Sequence, residues 1–197
     1  MVRIFAAGDF HGDKSIAAKL AKQAVDENAD VIVLNGDIVE DHKPEGIVHY
    51  FIKTGKPVFL VPGNHDWLAT DFLAAQYNAT NLHGKHHKQE NVSLLGCGGT
   101  NAGIHLLTEQ EIYDTVQEVN KNASGKKVLI THIHPAGTLM EKFSQWVQGS
   151  TGLRKAIEKI QPDFVICGHV HEAEGIEEKI GKTTVINVGK QGKLIEL

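Results

Sequence analysis

Short apolar runs that alternate with longer amphipathic segments are the feature that most constrains the fold of this chain. Runs with the length and composition of buried strands occur at 3–7, 31–34, 57–61, 92–95, 128–130 and 164–166. Apolar residues at helical spacing predict helices at 16–27, 47–52, 108–119 and 153–160. Thr108 is the expected N-cap of the third helix, because Glu111 follows three residues later. This alternation predicts an α/β fold in which helices cover a largely parallel sheet.

The C-terminal residues, 176–197, have a different pattern. Three short extended runs are separated there by Gly181-Lys182, Gly189 and Gly192. Such spacing is typical of hairpins, so we expect an antiparallel meander at this end of the chain. Because no linker, low-complexity stretch or internal repeat interrupts the sequence, we expect one domain that comprises residues 1–197.

Composition limits the classes of function. Hydrophobic residues make up 41% of the chain and the net charge is -4, which is ordinary for a globular protein and provides no basic block for nucleic acid. No apolar run reaches the ~20 residues of a membrane span, and Val2-Arg3-Ile4-Phe5 does not resemble a signal peptide. We therefore expect a cytoplasmic protein without a membrane partner, whose oligomeric state (a homo-oligomer included) stays open. Cys97 and Cys167 lie beside apolar residues and are expected to be buried free thiols.

Polar clusters follow five of the six predicted strands, and each contains side chains that bind metals. They are Gly8-Asp9-Phe10-His11-Gly12, Asn35-Gly36-Asp37-Ile38-Val39-Glu40, Pro62-Gly63-Asn64-His65-Asp66, Thr131-His132-Ile133-His134-Pro135 and Gly168-His169-Val170-His171. In open α/β sheets, ligands bind outside the carboxyl ends of the strands, so we expect the five clusters to converge on one crevice. Residues two apart in extended chain point to the same side, which lets Asp9 and His11 face one centre.

Each cluster alone has an ordinary explanation. Asp-x-His or Gly-Asp after a strand is usually a solvated loop, and Gly-Asn-His-Asp could be a turn. The occurrence of all five in order in one small chain favours a metal site instead. Carboxylate, amide and imidazole ligands without thiolate favour Mn²⁺, Fe or Zn²⁺. The ligands are too many for one tetrahedral ion, and two ions bridged by a carboxylate are the usual arrangement for displacement at phosphorus.

The motifs together resemble those of the calcineurin-like metallophosphoesterases. They are Asp9-x-His11, Gly36-Asp37, Gly63-Asn64-His65-Asp66, His132 and Gly168-His169-x-His171. The resemblance implies a four-layer α/β/β/α sandwich of two mixed sheets. It also implies two divalent metal ions, with Mn²⁺ favoured and Fe, Zn²⁺ or Ni²⁺ as alternatives, and a bridging hydroxide that attacks phosphorus.

The same resemblance assigns metal ligands position by position. The ligands of the first metal would be Asp9, His11 and His171. The ligands of the second metal would be Asn64, His132 and His169, with Asp37 bridging the two ions.

Four further residues of these motifs receive other roles. His65 would act as the general acid that protonates the leaving oxygen, and Asp66 would orient its imidazole. Glu40 matches an acidic position expected to support a ligand rather than to bind metal itself. His134 is an alternative to His132 as the ligand, although His132 is favoured because it lies closer to the end of its strand.

The scarcity of arginine indicates the kind of phosphoester. The chain has only Arg3 and Arg154, whereas a phosphomonoester dianion is usually clamped by such cations. We therefore expect a phosphodiesterase that acts on a small phosphoester such as a nucleotide. The Gly63-Asn64-His65-Asp66 variant and the small size resemble the small phosphodiesterase-type branch of the family. Two alternatives remain: a phosphomonoesterase or nucleotide pyrophosphohydrolase with the same site, and a non-catalytic scaffold that keeps the fold for binding.

Two other stretches carry expectations. Residues 135–152 contain Met140, Phe143 and Trp146 at three-residue spacing, which fits either a lid helix over the site or a stripe packed on the core. The polar stretch that contains His83, His86 and His87 is expected to be an exposed loop, and three further histidines belong to no motif. These three are His42, His49 and His105.

Overall fold

The computed structural model describes residues 1–40, 46–103, 106–144 and 146–197, apart from the Leu68 side chain. The strands are β1 (Arg3–Ala7), β2 (Val31–Leu34), β3 (Val58–Leu60), β4 (Thr80–Asn81), β5 (His86–Gln89), β6 (Val92–Cys97), β7 (Lys126–Thr131), β8 (Phe164–Cys167), β9 (Glu177–Ile180), β10 (Thr183–Asn187) and β11 (Lys193–Glu196). The α-helices are α1 (Lys14–Asp26), α2 (Ile47–Ile52), α3 (Trp67–Tyr77), α4 (Glu109–Asn120) and α5 (Thr151–Ile160). Short 3-10 helices occur at Leu139–Phe143 and His171–Ala173.

The strands form two mixed sheets. The first has the order β11-β1-β2-β3-β4, in which β1 to β4 are parallel and β11 is antiparallel to β1. The second has the order β5-β6-β7-β8-β10-β9, in which β6, β7, β8 and β10 are parallel and the two edge strands are antiparallel. Both sheets thus present the carboxyl ends of several parallel strands.

Three apolar layers hold the sheets and helices together. Phe5 and Ile32 project from the first sheet toward α1, α2 and α3, whereas their neighbours Ile4 and Val31 project toward the second sheet. This alternation follows from the two-residue period of a strand. Leu129 of the second sheet packs on the other side, against α4 and α5. The fold is therefore a four-layer α/β/β/α sandwich, as the resemblance implied.

The predicted elements are confirmed to within two residues at each end. Thr108 caps α4 in a capping box with Glu111, and both cysteines are buried and free. The predicted C-terminal meander is wrong, because only β9 and β10 form a hairpin. β11 crosses to the first sheet and pairs with β1.

Helix α3 and strand β5 differ from the sequence analysis. Helix α3 was not predicted, because its apolar residues are spread around the helix and give little one-sided periodicity. The predicted exposed loop with three histidines is also wrong. His86–Gln89 form the edge strand β5, and His83 is half-buried.

Two of the histidines that belong to no motif, His42 and His105, lie outside the described residues. No helix of the described ranges has the length and apolar character to span a membrane.

Candidate metal centre

The carboxyl ends of five parallel strands bring the predicted ligands together. The strands β1, β2, β3, β7 and β8 supply, in that order, Asp9 with His11, Asp37, Asn64, His132, and His169 with His171. Because β2 and β3 are parallel to β1, and β8 is parallel to β7, these ends meet at one edge of the sandwich. The predicted residues therefore form one cluster, within which two groups can be distinguished.

The first group consists of Asp9, His11 and His171. The Nε2 atoms of the two histidines lie 3.2 Å apart. The Nε2 atom of His171 is 3.8 Å from Oδ1 of Asp9. The three side chains thus point their ligand atoms at one small volume.

The second group consists of Asp37, Asn64, His132 and His169. Nε2 of His132 lies 3.2 Å from Nδ1 of His169 and 3.2 Å from Oδ1 of Asn64. One carboxylate oxygen of Asp37 connects the two groups. Its Oδ2 is 3.4 Å from Nε2 of His132 and 3.6 Å from Nε2 of His11. Asp37 therefore lies between the two groups, within 3.6 Å of a histidine nitrogen of each.

The protonation of two rings shows why these residues fit metal ions. Nδ1 of His132 lies 3.0 Å from the carbonyl oxygen of Asn35, and Nδ1 of His11 lies 2.9 Å from Oε2 of Glu40. Each Nδ1–H can donate to that oxygen, which leaves the lone pair of Nε2 directed into the cluster. Lone pairs that face one another are stabilised by a cation between them. The donor set therefore fits divalent metal ions, and Glu40 is placed to support His11.

The electrostatics of the cluster favour positive charge. Burial would lower the pKa of His132, but the charge and hydrogen bond of Asp37, together with Asp9, raise it to about 9. Burial would likewise raise the pKa of Asp37, but His132 and the His65 N–H hold it well below its usual range. Burial lowers the pKa of His169 to about 3, and neighbouring His132 acts in the same direction. The cluster thus stabilises a cation next to Asp37 while His169 keeps its lone pair.

The backbone around the ligands is strained. Four of them have positive φ angles: Asp9 at 54°, His11 at 46°, Asp37 at 48° and His169 at 70°. Side chains with a Cβ seldom adopt this region, and such strain clusters at functional sites. Close packing also requires glycine at position 63, because a Cβ atom there would lie 2.1 Å from Oδ1 of Asp37 and would clash with it.

Asp66 has a different environment from the one predicted. Its Oδ1 accepts the backbone N–H of Ile38 (2.8 Å) and Val39 (2.9 Å), and its Oδ2 accepts that of Gly63 (3.0 Å). Burial, and then the charge of Asp37, raise its pKa to about 6. Both carboxylate oxygens accept hydrogen bonds from backbone N–H groups rather than from the His65 imidazole. The structure therefore corrects the expectation that Asp66 contacts and orients the His65 ring. Asp66 fastens the loop after β2 to the loop after β3.

His65 lies beside the first group. Its backbone N–H donates to Oδ1 of Asp37 at 3.1 Å, and its ring stands edge-to-face against the His11 ring with centroids 5.0 Å apart. The ring is half-buried, and its nitrogen lies within 4.8 Å of ligand-type atoms of His11 and Glu40. An imidazole at the rim of the cluster can exchange a proton with a substrate held there.

The alternative ligand, His134, is placed differently from His132. His134 is fully buried, and neither ring nitrogen has a hydrogen-bond partner among the described residues. Burial lowers its pKa to about 4, against the opposing charge of Glu141. The group of ligand atoms around Asp37 includes His132 and not His134. The positions of these atoms thus favour His132 over His134 as the candidate ligand.

Two buried asparagines were not assigned roles from the sequence. Asn35 supplies the carbonyl oxygen that faces His132. Asn187, at the end of β10, donates from Nδ2 to the carbonyl oxygen of Val170 at 2.8 Å and so holds the loop between His169 and His171. Asn35 stood next to a recognised motif and could have been found. Asn187 lies 16 residues beyond His171, and only the pairing of β10 with β8 reveals its role.

The segment 135–152 fits neither expectation as a whole. Among its described residues before α5, the helical part is the 3-10 helix Leu139–Phe143, which packs near the 3-10 helix that begins at His171. Met140 is buried in the core beside Cys167, whereas Phe143 is 50% and Trp146 is 89% exposed. The stripe is therefore divided between one core residue and two aromatic side chains open to solvent.

Comparison with known proteins gives one family and several relatives. A family model described as calcineurin-like phosphoesterase matches residues 2–173. A UPF0046 protein of Caenorhabditis elegans is 44% identical over 66 residues, 34% of this chain and 22% of that protein. The 3',5'-cyclic adenosine monophosphate phosphodiesterase CpdA of Haemophilus influenzae is 28% identical over 173 residues, 79% of this chain and 60% of that protein. The chain thus spans less than two thirds of the length of either curated relative.

The fold is also found among solved structures. The protein TT1561 of Thermus thermophilus superposes with a TM-score of 0.74 at 20% sequence identity, covering 95% of this chain and 89% of that one. The chain is thus a four-layer sandwich with candidate metal-ligand side chains clustered at its strand ends. The chain belongs to the calcineurin-like phosphoesterase family. Membership supports a phosphoester hydrolase and implies divalent metal ions, for which the cluster supplies candidate ligands.

Proposed function

We propose that this protein is a phosphodiesterase that hydrolyses a small nucleotide-type phosphodiester with two divalent ions, Mn²⁺ being favoured. The observation that carries the proposal is the position of Asp37, whose Oδ2 lies 3.4 Å and 3.6 Å from one imidazole nitrogen of each ligand group. Asp9, His11 and His171 would hold one ion, and Asn64, His132 and His169 the other. When bound, the ions supply Lewis-acid stabilisation of the charge that develops on the phosphoryl oxygens.

The protein's own side chains contribute a proton and fixed geometry. His65, at the rim of the cluster, would donate a proton to the leaving oxygen as the ester bond breaks. Glu40 keeps the proton of His11 on Nδ1, and the carbonyl of Asn35 does the same for His132. Asp66 holds the loops of Asp37 and His65 together through three backbone hydrogen bonds. The ligand atoms are therefore preorganised before substrate binds.

The positions of both arginines favour a diester over a monoester. Arg3 pairs with Glu196 at 3.2 Å. Arg154 donates to Glu158 at 2.6 Å and to the carbonyl oxygen of Ala136 at 3.2 Å. Each guanidinium is thus engaged by other protein groups, and neither clamps the cluster as a dianionic monoester would require. The likeness to the cyclic-nucleotide phosphodiesterase CpdA supports the same substrate class.

We expect metal-dependent hydrolysis of bis-p-nitrophenyl phosphate to exceed that of p-nitrophenyl phosphate. The measurement compares kcat/KM for the two compounds after chelation and after addition of Mn²⁺, Zn²⁺ or Fe²⁺. A larger value for the monoester would favour the phosphomonoesterase alternative. No metal-dependent turnover of either compound, or of cyclic nucleotides and dinucleotide polyphosphates, would overturn the enzyme proposal and favour the scaffold.

Trp146 is expected to contribute to recognition of a nucleobase. Trp146 is 89% exposed and belongs to the segment that joins the strand of His132 to α5. An exposed indole offers a stacking surface, and stacking on a base contributes about 1–3 kcal/mol. The Trp146→Ala variant should therefore raise KM for a nucleotide diester about tenfold, while kcat/KM for bis-p-nitrophenyl phosphate changes little.

The matched control is Phe72→Ala, because Phe72 is also an exposed aromatic residue (54%) but lies on α3. It should leave both kinetic constants unchanged. An unchanged KM for the nucleotide in Trp146→Ala would remove Trp146 from the recognition site and leave the hydrolysis proposal untouched.

A further inference from the structure

His83 lies outside every recognised motif, yet its half-buried ring contacts both the segment after β6 and the first residue of α3. Its Nδ1 is 3.1 Å from the backbone nitrogen of Gly98, which must be the donor. The ring is therefore neutral, with its proton on Nε2. It also stands edge-to-face against the indole of Trp67, with centroids 5.0 Å apart. His83 thus connects the end of β6 with the first residue of α3.

The segment that follows β6 is packed directly on the loop that carries Asn64 and His65. The backbone N–H of Gly99 donates to the carbonyl oxygen of Pro62 at 2.6 Å. A Cβ on Gly98 would lie 2.4 Å from Cδ of the Pro62 ring, so the two backbones touch. The position of Gly98 therefore determines the position of Pro62, one residue before Gly63.

The same segment then reaches the metal centre. A Cβ on Gly103 would lie 3.8 Å from Nδ2 of Asn64. Trp67 provides a second link between His83 and the same loop, because it directly follows Asp66. The Asp66 carboxylate accepts the backbone N–H groups of Gly63 and Ile38 and so holds Gly63 and the loop after β2 in place. A hydrogen bond from Gly98 to His83 is thus linked through backbone packing to both Asn64 and His65.

We propose that His83 is a positioning residue: by accepting the N–H of Gly98 and packing on Trp67, it holds residues 98–103 against the loop Gly63–Asp66 and so sets the placement of Asn64 and His65. The effect on hydrolysis rests on the proposed function. The effect on metal binding and on the environment of Trp67 does not.

Protonation provides a test specific to this hydrogen bond. An imidazolium cannot accept the N–H of Gly98 at Nδ1, so the contact must break when His83 is protonated. Burial lowers the pKa of His83 from its ordinary value, and the charged groups that face the ring are Asp71, which opposes this shift, and Lys85, which adds to it. The transition is therefore expected at a pH below that of an exposed histidine.

Two substitutions separate the acceptor from the ring. In His83→Asn, Oδ1 stands in place of Nδ1 as an acceptor that does not titrate, whereas His83→Leu fills space without an acceptor. His86→Asn is the matched control, because His86 is exposed on the edge strand β5. Thermal unfolding of each variant identifies any that fails to fold.

The first measurement is Trp67 fluorescence against pH, made in a Trp146→Phe background because the chain has two tryptophans. We expect an acid quenching transition to which His83 contributes beside Asp66, so that His83→Asn reduces it and His86→Asn leaves it unchanged. The second measurement, with Trp146 intact, is Mn²⁺ binding by calorimetry. His83→Leu should weaken it by about tenfold, as removal of supporting contacts typically does, and His83→Asn should restore it.

Kinetics complete the test. On bis-p-nitrophenyl phosphate, His83→Leu should lower kcat with little change in KM, because metal and general acid are displaced rather than a substrate contact. The proposal is overturned if the fluorescence transition of His83→Asn has the amplitude and midpoint of the parent protein, or if His83→Leu binds Mn²⁺ like the wild type. Failure of the wild type to hydrolyse any phosphoester would instead overturn the proposed function, and the fluorescence and calorimetry would still decide the role of His83.

Discussion

Replacing Asp37 by Asn is expected to lower metal-dependent hydrolysis by at least about 10³-fold, because metal ions contribute several kcal/mol to such reactions. The Oδ2 atom of Asp37 faces both ligand groups, so this one change removes a negative charge from both proposed metal positions. The metal content after dialysis, measured by mass spectrometry, should fall below two ions per chain. The Oδ1 atom of Asp9 also lies near a histidine of each group, but the His132 nitrogen that it approaches, at 3.9 Å, is Nδ1, which faces the carbonyl oxygen of Asn35.

Asp114→Asn is the control for Asp37→Asn, since Asp114 is exposed on α4. It should keep the activity and metal content of the wild type. Retention of two tightly bound ions and of near-normal kcat in Asp37→Asn would show that the two groups do not share a bridging ligand. The circular dichroism spectrum of each variant distinguishes this result from loss of the fold.

Replacing His65 by Ala is expected to lower kcat by about 10²–10⁴-fold, which is the usual contribution of a general acid. Metal content should be unchanged, because the side chain of His65 is assigned to neither metal and its contact with Asp37 is made by the backbone N–H, which alanine keeps. The decrease should be smaller for a diester with a p-nitrophenolate leaving group than for a nucleotide, because a good leaving group needs less protonation.

His49→Ala is the control for the general-acid prediction. His49 is exposed on α2, and its ring contacts Tyr77 with centroids 6.1 Å apart, away from the cluster residues. Its substitution should leave kcat unchanged. If His65→Ala lost metal together with activity, His65 would be a ligand rather than an acid. Equal decreases for good and poor leaving groups would also contradict a proton-donating role.

Most of the site could be located from the sequence, because its residues follow strands at short and regular offsets. Asp9 and His11, or His169 and His171, need only a strand and the turn after it to be placed. Parallel strands then carry these short segments to a common edge. The residue pattern after each strand, together with the rule that ligands bind at the carboxyl ends of parallel strands, was enough to predict this placement. The same two arguments also located Asp37, Asn64 and His132.

Residues that act through long-range packing could not be found in this way. His83 stands in a polar stretch that gives no periodic signal, and its hydrogen bond to Gly98 depends on how the chain turns between β4 and β6. Asn187 reaches the loop of His169 only because β10 pairs with β8. The crossing of β11 to the first sheet is of the same kind, since hairpin-like spacing alone does not select a partner strand.

The sequence by itself determined the alternation of strands and helices, the family and the chemical character of the metal ligands, because these depend on periodicity and on residue types at fixed short spacing. Only the tertiary structure decided that Asp66 bonds to backbone N–H groups rather than to His65, and that Phe143 and Trp146 are exposed while Met140 is buried. The physical reason is that the hydrogen-bond partner of a carboxylate, or the packing environment of an aromatic ring, depends on which groups the folded layers place next to it. Adjacency in sequence does not specify those groups.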